Sequence, residues 1–251
     1  MLKNKVVLIT GAANGIGQAT ALTVSRYGAK VLLGDIDEAG GEATRKALTD
    51  AGGEAVFFYV DITDPDNVVR FVDHAVERFG RLDCAFNNAG IEGSYATTAD
   101  YDEKEWDQVL NVNLKGTWLC MRSEIKHMLA GSGGAIVNAS SALGKTGIWN
   151  MPAYVTSKHA VIGLTRAAAL DHAQQGIRVN AVAPGVIATP MVCERIYNAD
   201  PDAEKRLLDM HPIGRIGEPD EVAEAVAWLC SDAASFVTGT TLSVDGAYMA
   251  K

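Results

Sequence analysis

The chain has 251 residues, 48% hydrophobic and 21% charged, the proportions of an ordinary folded protein with a sizeable core. Its net charge of −9 speaks against a nucleic-acid surface, which needs a basic stripe, and against docking on anionic lipid. Met1 to Lys5 leads straight into a short apolar strand with no signal peptide, no apolar run has transmembrane length, and the scattered histidines and four cysteines show no metal-ligand spacing, so a metal-free cytoplasmic protein is expected.

Lys5 to Thr10 reads as a fully buried parallel strand. The turn Gly11-Ala-Ala-Asn14-Gly15-Ile16-Gly17 follows, then a helical pattern from about Gln18 to Tyr27. Strand, glycine-rich turn and helix is the context of a dinucleotide fingerprint: glycines let the backbone approach a pyrophosphate, which meets the helix N-terminus. The spacing is Gly-x-x-x-Gly-x-Gly, and a plain βα turn is the alternative. A second strand, Lys30 to Asp35, ends in an acid eighteen residues beyond Gly17. Asp35 is placed to accept hydrogen bonds from adenosine ribose hydroxyls and to repel a 2′-phosphate. Asn14 and Ile36 supply no positive charge, and Arg45 and Lys46 belong to the next helix, which favours NAD over NADP. The alternative for Asp35 is a cap on that helix.

A third strand, Glu54 to Val60, is closed by Asp61 and Ile62. Asp61 either meets the adenine amino group or caps the helix that starts near Pro65. A fourth strand, Leu82 to Phe86, runs into Asn87-Asn88-Ala89-Gly90, small and amide residues suited to close cofactor approach. A long helical stretch from about Tyr101 to Leu129 contains Asn113, an amide where helices disfavour one. A fifth strand, Ala135 to Ala139, delivers Ser140 and Ser141, and the loop to Met151 offers Trp149 and Met151 as an apolar wall. Pro152 opens a helix carrying Tyr154 and Lys158 to about Gln175. A sixth strand, Ile177 to Ala183, leads to Pro184, Gly185, Ile187 and Thr189, also expected against the cofactor. Residues from about 190 to 212 read as a substrate lid. A helix from Glu218 to Cys230 and a seventh strand, Thr240 to Val244, follow.

Of the seven tyrosines, Tyr154 alone has a lysine four residues on, so the two side chains share one helix face. An ammonium beside a phenol favours the phenolate and makes the tyrosine a usable general acid/base near neutral pH. Ser141 is positioned to donate to a substrate oxygen. Unbroken alternation of strand and helix implies one α/β domain over residues 1–251, a doubly wound Rossmann-type fold with a seven-stranded parallel sheet and helices on both faces.

Thr10-Gly11-x-x-x-Gly15-x-Gly17, Asn87-Asn88-Ala89-Gly90, Asn113, Ser141, Tyr154-x-x-x-Lys158 and Pro184-Gly185 resemble, in order and spacing, the motifs of the short-chain dehydrogenase/reductase family. The resemblance implies a catalytic tetrad of Asn113, Ser141, Tyr154 and Lys158. Tyr154 would exchange the proton with the substrate oxygen and Ser141 would hold that oxygen. Lys158 would bind the nicotinamide ribose, and Asn113 would anchor a relay water. It also implies a homotetramer built on the two long helices and the C-terminal part. The closing stretch is similar to bacterial members that oxidise cyclic alcohols and diols. The expected function is NAD-dependent hydride transfer between nicotinamide and a secondary alcohol or ketone. The alternatives are a 3-oxoacyl-carrier-protein-type reductase and a non-catalytic dinucleotide-binding sensor.

Overall fold

The computed structural model describes residues 1–190, 192 and 203–250. At its centre is β1 (Val6–Thr10), buried along its whole length. Val7 and Ile9 pack into one apolar cluster and Val6 and Leu8 into another. That is the period-two alternation of a strand, and two apolar faces require helices on both sides.

In chain order the elements are α1 (Gly15–Arg26), β2 (Lys30–Asp35), α2 (Glu38–Asp50), β3 (Glu54–Tyr59), α3 (Pro65–Phe79), β4 (Cys84–Asn87) and α4 (Glu103–Leu110). After them come α5 (Thr117–Ala130), β5 (Gly134–Ala139), α6 (Pro152–His172), β6 (Ile177–Pro184), α7 (Ala203–Asp209), α8 (Pro219–Cys230) and β7 (Thr241–Val244). All seven strands are parallel, in the order β3-β2-β1-β4-β5-β6-β7. Residues of α1, α2 and α8 fill the cluster on one face, and residues of α3, α5 and α6 fill the other. Large side chains without exposed surface, such as Phe71 and Leu32, each contribute about 1.5–3 kcal/mol by burial. Sheet growth reverses between β3 and β4. The switch point therefore lies over β1 and β4, where open α/β sheets bind ligands.

Two capping alternatives are not taken up, and the long helix is interrupted. Asp37, not Asp35, caps α2 by accepting from the Gly40 N–H. Asp64, not Asp61, caps α3, accepting from the N–H groups of Asp66 and Asn67. The long helix is α4 and α5 joined by a π-helical turn, Asn111–Gly116. Such turns concentrate at functional sites, and Asn113 stands inside this one. Residues 191 and 193–202 of the segment read as a lid lie outside the described residues; α7 and the residues that follow it are described. No helix among the described residues is long and apolar enough to cross a membrane.

Candidate active site

The glycine-rich turn is as tight as its spacing implied. Gly11 has φ +65°, and a Cβ there would stand 2.8 Å from Asn88 Nδ2 and 2.9 Å from Ala89 Cα. A Cβ on Gly17 would stand 1.9 Å from the Gly11 carbonyl oxygen. Asp residues cap α2, α3 and α4, but Asn14 makes no side-chain bond to the first turn of α1. Asn14, Gly15 and Ile16 border an open groove, so the start of α1 presents N–H groups with no side-chain cap to it. Backbone N–H groups at such a helix start can hold an anion.

The groove runs over the carboxyl ends of the strands and has a volume of about 1130 Å³. Single-ligand sites measure roughly 300–1,000 Å³, so the groove is at the large end of what one ligand needs. At its β2 end, Asp35 Oδ2 accepts from the Ala13 N–H at 2.9 Å and Oδ1 from the Asp37 N–H at 3.0 Å. The carboxylate thus ties the glycine-rich turn to β2 and keeps lone pairs for a ligand. Ile36, 64% exposed, stands beside it. Asp61 accepts from the N–H and hydroxyl of Thr63 at 2.9 and 2.7 Å, and with Ile62 it lines the next part of the wall. Ala89 and Gly90 line the middle, and Pro184, Gly185, Ile187 and Thr189 the far side. Lys158 is the only basic side chain among the described lining residues. Arg45 and Lys46 are engaged on the surface with Glu42 and Asp50.

Ser141, Tyr154 and Lys158 line the same groove. Lys158 is 5% exposed; its Nζ donates to the Ala139 carbonyl at 2.9 Å and lies 5.5 Å from the centre of the Tyr154 ring. Burial pushes its ammonium down to about 8, which leaves it mostly charged at neutral pH. The Ser141 hydroxyl oxygen accepts from the Leu143 N–H at 3.1 Å, so its proton stays available to a ligand.

The groove does not reach Gly17, Asn87 or Asn113. Gly17 serves the packing of the turn. Asn113 is 1% exposed: its Oδ1 accepts from the Ile91 N–H, and its Nδ2 donates to the Ile91 carbonyl and to Ser157 Oγ. It therefore shapes the wall through Ile91 and the helix through Ser157, whose hydroxyl donates to the Tyr154 carbonyl at 2.8 Å. The Asn87 carboxamide points away from the groove, to Glu124 and Asn138.

Several contributors were not read from the sequence. Ser140 donates to the Lys158 carbonyl at 2.9 Å and fixes the height of the lysine. His211 is 3% exposed; its Nε2 accepts from the Val186 N–H at 3.0 Å and its Nδ1 donates to the Leu207 carbonyl at 2.8 Å. It thereby ties α7 to the loop after β6. Leu207, Met210 and Tyr248 complete an apolar mouth with Trp149 and Met151. A serine pair at a strand exit was a visible signal for Ser140, whereas nothing local marks His211.

A family model described as "Enoyl-(Acyl carrier protein) reductase" matches residues 11–249. The chain is 44% identical to a cyclohexanol dehydrogenase of Acinetobacter sp. (strain SE19), covering 99% of this chain and 96% of that one. It is 45% identical to a cis-4-hydroxycyclohexanecarboxylate dehydrogenase of Sinomonas cyclohexanicum, covering 98% and 97%. The crystal structure of an NAD⁺-bound xylitol dehydrogenase superposes with a TM-score of 0.94 at 35% identity, over 98% of this chain and 99% of that one.

Proposed function

The chain belongs to the short-chain dehydrogenase/reductase family, and from that premise we propose that it oxidises cyclic secondary alcohols to ketones, reversibly, with NAD as its hydride carrier. The observation that carries this reading is one continuous groove holding the glycine cradle at one end and Ser141, Tyr154 and Lys158 at the other.

The residues present fit a dinucleotide. The backbone of Gly11 to Gly17 and the uncapped start of α1 would hold the pyrophosphate. Asp35 would take the ribose hydroxyls, and the absence of a basic neighbour in the described wall makes NAD the match rather than NADP. Ile36 and Ile62 are apolar partners for adenine beside Asp61. Lys158 spends one of its three donors on Ala139, which leaves two for the second ribose. When bound, NAD⁺ supplies the hydride acceptor and NADH the donor.

The chain's own work is positioning and proton transfer. Ser141 donates to the substrate oxygen and holds it toward Tyr154. The Lys158 charge stabilises the Tyr154 phenolate, so Tyr154 takes the hydroxyl proton during oxidation and returns it during reduction. Asn113 holds Ile91 and, through Ser157, the Tyr154 turn of α6. The apolar mouth of Trp149, Met151, Leu207 and Met210 excludes water and suits a carbocycle. The names of the relatives point to the same substrate class.

Residues 1–251 act as one domain in this reading, with Leu207 of α7 and Met210 at the mouth where the substrate enters. Cys84, Cys120 and Cys230 are free thiols, which suits a reducing cytoplasm. Leu170 on α6 and Phe236 before β7 are 85% and 101% exposed, apolar surface that a homotetramer would cover.

The test is the absorbance of reduced nicotinamide on mixing the protein with NAD⁺ or NADP⁺ and cyclohexanols, cyclic diols and linear alcohols. Reduction of NAD⁺ by the cyclic alcohols is expected. Preference for NADP⁺ or for linear alcohols would overturn the reading.

A further inference from the structure

Below the groove floor a carboxyl group sits beyond the reach of water. Glu124 of α5 has no exposed surface. Asn87 Nδ2 donates to Glu124 Oε2 at 3.0 Å and to Asn138 Oδ1 at 3.1 Å. Asn138 Nδ2 donates to Thr165 Oγ1 at 2.9 Å, and Thr165 donates to the Val161 carbonyl at 2.8 Å. Two atoms of this network remain: Asn87 Oδ1 and Glu124 Oε1 are both buried without a partner. With Glu124 ionised, both are acceptors lacking a donor, and the carboxylate has no cation bonded to it among the described residues. Such an arrangement is strongly unfavourable. A single proton on Oε1 turns it into a donor. Asn87 Oδ1, the other unpartnered atom and part of the same carboxamide that already serves Oε2, would be the acceptor for it.

We propose that Glu124 is held as a neutral carboxylic acid, joined to the Asn87 carboxamide by two hydrogen bonds, and that this pair positions the strand end Asn88-Ala89-Gly90 beneath the cofactor. Where it concerns the cofactor, the inference rests on the function proposed above. Burial acts in the same direction, pushing the Glu124 carboxyl up to about 8 against the pull of the Asn87 donor. Its titratable neighbour Cys120, one turn earlier, is pushed up by burial as well.

The linkage to the groove is short. Asn88 Nδ2 donates to the carbonyls of Thr10 and Gly11, so a shift at the end of β4 moves the glycine-rich turn. Glu124 touches neither cofactor nor substrate in this scheme; it is a positioning residue, acting on β4 as Asn113 acts on Ile91.

The experiment compares wild type, Glu124→Gln and Glu124→Met by infrared difference spectroscopy at neutral pH and by NAD⁺ titration calorimetry. A protonated-carboxyl carbonyl band is expected in wild type and in neither variant. Gln keeps a donor and an acceptor, so E124Q should bind NAD⁺ within about twofold of wild type, and E124M about tenfold more weakly. Should E124M not fold, E124Q still decides: band lost with binding kept supports the pair. A wild-type spectrum without that band, or E124Q binding that falls about tenfold, overturns it. A wild type that binds no NAD⁺ defeats the cofactor reading instead, and the positioning role with it, while the band continues to report the carboxyl.

Discussion

Asn113 grips the main chain of Ile91 from both sides, its Oδ1 accepting the N–H at 2.8 Å and its Nδ2 donating to the carbonyl at 2.8 Å. An amide inside a helix thus acts as a strand-like partner for the segment that leaves β4. Asn113→Ala leaves buried groups at Ile91 unpaired, at about 1–3 kcal/mol each. The unfolding temperature should fall, and turnover should drop about a hundredfold through misplacement of the wall. Calorimetry and steady-state rates check both. Wild-type turnover in the variant would remove Asn113 from the machinery.

Tyr154→Phe deletes one hydroxyl. Turnover should fall by about 10²–10⁴, the usual contribution of a general acid/base, while the NAD⁺ dissociation constant stays within about twofold. A variant that keeps its rate would transfer the proton role to another group.

Asp35→Asn removes the negative charge at the β2 exit and keeps an acceptor. The ratio of kcat/KM with NAD⁺ to that with NADP⁺ should shrink about tenfold, since a 2′-phosphate is no longer repelled. An unchanged ratio would reduce Asp35 to the tie it already makes with Ala13.

Two buried groups set opposing pH dependences of stability. Glu124 is raised from 4.5 to about 8. Between those values the native state holds a proton that the unfolded chain has lost, so stability falls as pH rises. Lys158 is lowered from 10.5 to about 8. Between those values the unfolded chain holds the extra proton, so stability rises with pH. Together they place a minimum near pH 8, each limb worth up to a few kcal/mol. Unfolding temperatures across the range should show Glu124→Gln flattening only the acid limb. A variant profile that overlays wild type below pH 8 would sink this account.

The sheet was legible because parallel strands buried on both faces are unbroken apolar runs, as in Val6–Thr10. Tyr154 and Lys158 were legible because helical spacing places them on one face. Caps were harder: Asp35 and Asp37, or Asp61 and Asp64, offer the same side chain two or three residues apart, and only backbone conformation selects between them. Glu124 was not legible. A glutamate in Arg-Ser-Glu-Ile-Lys reads as solvated surface, and it is the distant Asn87 and Asn138 that make its burial tolerable. The direction of the Asn87 carboxamide is likewise a tertiary fact, invisible in Asn87-Asn88-Ala89-Gly90.

The π turn at Asn111–Gly116 is also a matter of phase. Relative to an α-helix it holds one surplus residue, and each residue turns a helix by about 100°. Gln108 borders the groove before that turn, while Glu124 faces Asn87 after it. Deleting one residue of the turn would let ordinary helical bonding resume. It would also rotate the two ends out of step, so that one could face β4 only if the other turned away.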